Sequence, residues 1–249
     1  MIFSPLLLFT LTLISGLLAL RIQKVINGGF RHALVFAGAY LLGITVVHIL
    51  PELFEESQSL PLTGLFVLLG FFLQKVLEYF TAGVEHGHMH QKSGDHHHHH
   101  HGSALFLLIA LCIHSVMEGS LLGHPSHSHQ HGDNQAILIG IILHKVPAAF
   151  ALMSILSCQF KSRRIPLLAL ITFALATPIG IVLSELSTSN GWLNEQLTQL
   201  IFALVTGSFL HIATTIFFEN SPGEHRFGLK RMLISLLGAG LAVLVEFSM

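Results

Sequence analysis

The sequence predicts an all-α multi-pass membrane protein with eight transmembrane helices and both termini extracytoplasmic. Three observations lead there. The 249 residues are 52% hydrophobic and only 10% charged, with a mean hydropathy of +0.70. A soluble domain is about a quarter charged, so the solvent for so apolar a chain is a bilayer. Eight apolar segments each reach the roughly 20 residues that a spanning helix needs. Nearly all Lys and Arg fall in alternate connections between those segments.

The first segment, residues 2–20, has no Lys or Arg ahead of its apolar run and has Arg21 and Lys24 behind it. It therefore reads as a spanning helix and not as a signal peptide. Asn27-Gly28-Gly29 precedes the second segment, 34–54, and Leu60-Pro61 opens the third, 62–81. Gly102-Ser103 leads into the fourth, 104–123, and the fifth covers 136–157. The sixth, 165–186, carries Pro178 and Gly180, which are expected to kink or loosen it. Asn190-Gly191 separates it from the seventh, 197–218, and Pro222-Gly223 separates that from the eighth, 230–247. Cys112 and Cys158 fall in or at the end of apolar segments and read as small packing residues, not as a disulfide.

With the N-terminus outside, the inner connections hold Arg21, Lys24 and Arg31; Lys92; Lys161, Arg163 and Arg164; and Arg226, Lys230 and Arg231. The outer connections hold Glu55, Glu56, Asp133 and Glu195 and no Lys or Arg. That asymmetry follows the positive-inside rule. Lys75 lies towards the inner half of the third helix, where it can snorkel; Lys145 fits neither side.

The chain reads as a single transmembrane domain, 1–249, with two histidine-rich insertions. Nineteen histidines outnumber the twelve Lys and Arg. The cytoplasmic loop, 84–103, contains "EHGHMHQKSGDHHHHHHG", with His86, His88, His90 and the run His96, His97, His98, His99, His100 and His101. The external loop, 124–135, carries His124, His127, His129 and His131. Such tracts read as metal capture; a loose polar linker is the other reading. An affinity tag sits at a terminus, and the six-histidine run is internal.

Ionisable residues deep in spanning helices are costly and mark function. The fourth helix carries "IHSVMEGSLLG", in which His114 and Glu118 are one turn apart and share a face. An imidazole and a carboxylate so placed suit a divalent transition metal such as zinc, at about 2.0–2.2 Å per ligand. The fifth helix supplies His144 at similar depth, and Pro147 frees the carbonyl of Leu143. A structural hydrogen bond is the plainer reading of a single His–Glu pair; His, Glu, His and Lys on adjacent helices go beyond it.

"HSxxEG" in the fourth helix followed by "HKxxxAF" in the fifth resembles the ZIP family of divalent metal transporters, and in particular a branch that includes animal plasma-membrane zinc importers. "VHILPEL" in the second helix, the histidine-rich loop after the third and "GSFLHIATTIFFENSPGEHR" around the seventh are compatible with it. The resemblance implies eight helices, external termini, metal moving into the cytoplasm, homodimers, and a bundle of helices one, four, five and six moving against two, three, seven and eight. His114 and Glu118 match the family's ligands in the fourth helix, and His144 matches the first ligand in the fifth. Many members continue His-Glu-x-Pro-His-Glu; here the residues are His144, Lys145, Val146, Pro147, Ala148 and Ala149, so three ligand side chains are missing. Lys145 occupies the position of the second-metal carboxylate in binuclear members, and Ser115 replaces an Asn often found after the first His.

Softer expectations attach to other polar residues. His48 and Glu52, with Glu185, are read as an outer mouth that gathers cations, and His211 with Glu219 as lining the exit. Glu78 reads as a solvated or packing residue. The expected function is uptake of a divalent transition metal, zinc first among them because histidine ligation disfavours magnesium and calcium. One metal is expected, with Lys145 as the second-metal substitute. An intramembrane zinc hydrolase using metal-bound water is the alternative, although no HExxH is present. A metal exporter is a third class, and the long hydrophilic cytoplasmic domain common in exporters is missing. The expected setting is the cell membrane. The metal is cargo and no cofactor is implied. The lipid bilayer is the surrounding partner, and no nucleic acid is expected.

Overall fold

The computed structural model describes residues 3–21, 28–81, 101–123, 133–192, 194–218 and 228–248. All eight spans are helical: α1 (Phe3–Arg21), α2 (Gly28–Glu55), α3 (Leu60–Thr81), α4 (His101–Leu122), α5 (Asp133–Gln159), α6 (Arg164–Ser189), α7 (Glu195–Phe218) and α8 (Leu229–Ser248). Each is long and apolar enough to cross a membrane. The helices overrun most predicted boundaries by one to four residues, because hydropathy marks the hydrocarbon layer while the helix continues into the headgroups. α5 and α6 are long, with 27 and 26 residues, against 19 in α1 and 20 in α8.

α2 contains a feature that the apolar pattern hides. Its helix from Gly28 to Ile44 widens into a π-helical segment, Thr45–Ile49, before Leu50–Glu55. Pro51 lacks an N–H and its ring crowds the carbonyl one turn back, so the preceding turn opens, and the N–H of Leu50 reaches Thr45 O. His48 sits in this opened turn. α6 ends as expected at Asn190-Gly191: Gly191 has φ of +64°, and the N–H of Trp192 returns to Ser187 O.

The eight helices form two four-helix groups. α1 packs along α5 and α6, and α4 packs along α6; α3 packs along α7, and α2 along α7 and α8. Missing side chains make the closest of these contacts possible. A Cβ on Gly70 of α3 would lie 1.9 Å from Leu204 O of α7, and one on Gly207 would lie 1.9 Å from Val67 O. Gly119 and Gly180 do the same for α4 and α6, at 2.1 Å from Thr177 O and 2.2 Å from Val116 O. Gly180, expected to loosen α6, thus joins it to α4, and Pro178 is accommodated inside a continuous helix. Gly238, part of a small-residue run that permits close packing, spends that capacity within the chain, against Phe36 of α2.

Two apolar cores fill the interior. One gathers Tyr40, Leu41, Ile44, Leu121, Ile141, Ile181 and Phe209. The other gathers Leu107, Leu111, Ala148, Leu152, Leu170 and Phe173. On α4, α5 and α6 the chain passes from one core to the other between Leu111 and Leu121, Ile141 and Ala148, and Phe173 and Ile181. The polar residues of α4 and α5 lie in that gap. Cys112 and Cys158 are free thiols; Cys112 packs on the second core, whereas Cys158 is exposed and is not a packing residue.

Candidate metal centre

Helical spacing fixes half of the site. His114 and Glu118 stack one turn apart on α4, and the Nε2 of His114 stands 2.5 Å from Glu118 Oε1. α5 brings His144, whose Nε2 contacts the same carboxylate oxygen. The ligand atoms of the three lie within 4.8 Å of one another, and all three residues are buried. The Nδ1 of His144 lies 2.7 Å from the carbonyl of Gly140, which only accepts, so Nδ1 carries the ring proton and Nε2 presents its lone pair to the site. The Nδ1 of His114 is 3.3 Å from Ser208 Oγ on α7. Two imidazole nitrogens and a carboxylate oxygen converge here and could hold a metal ion; nitrogen-plus-oxygen ligation is of the kind that suits a borderline transition ion.

Lys145 is only 1% exposed. Its Nζ donates to Ser115 Oγ at 2.6 Å, stands 3.4 Å from Glu118 Oε2 and lies 4.3 Å from the centroid of the Phe173 ring. The ammonium therefore points inward, onto the carboxylate oxygen that the imidazoles leave aside. Leu111, Ala148, Ile212 and Ile216 complete an apolar wall around these groups.

Among the described residues, His48, Glu52, Glu185 and His211 do not join this cluster. His48 lies between two carboxylates, with Nδ1 3.2 Å from Glu246 Oε1 and Nε2 3.8 Å from Glu52 Oε2. Glu246, on α8, was not among the expected residues. The Nε2 of His211 pairs with Glu78 Oε2 at 2.6 Å. Glu78 is thus not a solvated or packing residue; the side-by-side course of α3 and α7 brings it to His211. Glu185 is half-buried on α6. Glu219, the histidines at 86, 88, 90 and 96–100, and those of the external loop lie outside the described residues; His101 begins α4, with its side chain likewise outside.

A family model described as "ZIP Zinc transporter" matches residues 1–246, almost the whole chain. The chain belongs to the ZIP zinc transporter family. Among curated proteins, this ZIP-family chain is similar to "Zinc transporter ZIP1" of Plasmodium falciparum (isolate 3D7), with 30% identity over 144 residues. The match takes in 58% of the chain and 38% of that protein, so the chain spans about two fifths of the length of the curated relative it matches. An all-helical, multi-pass membrane protein is what family and fold together establish.

Proposed function

We propose that this chain carries a divalent transition metal, zinc foremost, across the membrane into the cytoplasm, holding one ion at a time on His114, Glu118 and His144. The observation that carries the reading is the convergence of two imidazoles and a carboxylate, all buried, between two apolar cores. Lys145 occupies the second-metal position: its charge holds Glu118 and repels a second cation. The division into two helix groups supports transfer by movement of α1, α4, α5 and α6 against α2, α3, α7 and α8. His48 with Glu52 and Glu185 serves the outer mouth, His211 with Glu78 and Glu219 the exit, and the histidine-rich loops capture metal on either side. The cell membrane as location and a homodimer as working unit rest on the resemblance to plasma-membrane relatives.

The zinc-hydrolase alternative is not favoured. Such an enzyme needs a general base beside a metal-bound water, and both oxygens of Glu118 are engaged, one with the imidazoles and one with Lys145. Sealed vesicles containing only this protein test the choice. Zinc accumulation inside them supports transport; turnover of a lipid or peptide without accumulation would reverse the assignment.

A further inference from the structure

Ser208 and Gln74 are 1% and 0% exposed in the apolar interior. Polar side chains there are costly unless bonded. The Gly70–Gly207 contact draws the backbones of α3 and α7 together, so Gln74, one turn after Gly70, meets Ser208, the residue after Gly207. Ser208 Oγ donates to Gln74 Oε1 at 2.9 Å, and the same Oγ stands 3.3 Å from the Nδ1 of His114.

A serine hydroxyl has one proton and two lone pairs. The proton is committed to Gln74, so Ser208 offers His114 only a lone pair. The Nδ1 of His114 then carries the ring proton and donates it, and Nε2 is left with its lone pair facing Glu118. His144 reaches the same state through Gly140, a carbonyl of its own helix. His114 reaches it through two side chains of the other helix group.

We propose that Ser208 and Gln74 are positioning residues for His114. Together they select Nε2 as the ligating nitrogen and aim it, and they do so from the α3–α7 side of the molecule. His114 is therefore an aligned ligand only while the two helix groups are docked in this register. The inference rests on the reading of His114, Glu118 and His144 as the metal site. Partners that orient a metal-binding histidine through its second nitrogen commonly contribute 10–100-fold in affinity.

The test uses protein lacking residues 86–101 and the external-loop histidines, held in lipid nanodiscs and titrated with zinc against a chelating dye. Ser208→Ala and Gln74→Leu should each weaken binding by about 10–100-fold. The double variant should be no weaker than the worse single one, because both residues act through one chain of bonds. Ser208→Thr, which keeps the hydroxyl, should bind like the parent. Nitrogen-15 spectra of labelled histidine should show the His114 proton on Nδ1 in the parent and divided between both nitrogens in Ser208→Ala. His114→Ala separates the two levels. Loss of binding there with unchanged affinity in Ser208→Ala overturns the positioning role and leaves the site standing; unchanged affinity in His114→Ala overturns the site itself. Where Ser208→Ala does not fold, parental affinity in Gln74→Leu, or a proton on Nε2 of His114 in the parent, overturns the positioning role as well.

Discussion

Lys145 sits where a cation costs at least about 2.5–3.5 kcal/mol on membrane-insertion scales. A charged hydrogen bond to Ser115 returns about 1.5–3 kcal/mol, and the face of Phe173 returns about 2 kcal/mol when desolvated. Glu118 adds the counter-charge, so burial of this lysine is sustainable without snorkelling. Protein lacking residues 86–101 and the external-loop histidines should therefore bind one metal per chain at this site. Lys145→Glu should admit a second ion or change the preferred metal. Anomalous scattering decides it: two adjacent peaks beside an unaltered Lys145 contradict the substitution idea. The ligands carry a separate expectation. His114→Ala, Glu118→Ala and His144→Ala should each cut zinc uptake at least about tenfold at normal membrane abundance, since second-nitrogen partners alone are worth that much; near-normal uptake in any two would remove the site. His114, Glu118, His144 and Lys145 were legible because ionisable residues are rare in spanning helices, and a helical period of 3.6 places the first two on one face. Gln74 was equally visible as a polar residue in an apolar run and was overlooked. Ser208 and Phe173 gave no signal, because serine and phenylalanine are ordinary in such helices and only the α3–α7 and α5–α6 contacts give them partners.

At the scale of elements, glycine decides which helices adhere. Gly70 and Gly207 let α3 and α7 meet backbone to backbone, whereas Gly64, also on α3, has nothing within 4 Å of a built Cβ. Gly70→Val or Gly207→Val should force the pair apart at a cost of roughly 1–3 kcal/mol. The expected result is a melting temperature in detergent lowered by several degrees together with reduced uptake; Gly64→Val should match the parent in both. Equal melting of all three variants would show that the close contact carries no stability. The number and order of the helices were readable from hydropathy, but this pairing was not. Sequence spacing shows that a glycine is present and not which neighbour it faces. The π-helical turn at Thr45–Ile49 escaped for a related reason: Pro51 announces a disturbance, while its form depends on which carbonyl the next N–H can reach.

For the whole molecule, the eight spans among the described residues are even in number, an arrangement expected to return the chain to the side on which it starts. The distribution of Lys and Arg predicts that side to be external. In a background with Cys112 and Cys158 replaced by Ser, a membrane-impermeant maleimide applied to intact cells should label Ser59→Cys, between α2 and α3. It should spare Ser162→Cys, between α5 and α6, until the cells are opened; the reverse pattern inverts the topology. The unequal helix lengths carry a further consequence. At 1.5 Å per residue, α5 with 27 residues is about 40 Å long and its neighbour α1 with 19 is about 28 Å, beside a hydrocarbon layer of roughly 30 Å. One partner just fits and the other must tilt or protrude. The acyl-chain length of the surrounding lipid then sets the resting inclination of the helix that carries His144 and Lys145. Zinc flux in vesicles should accordingly pass through a maximum as lipid chains are lengthened from fourteen to twenty-two carbons, and a flat profile would mean that α5 keeps its inclination whatever the thickness of the bilayer.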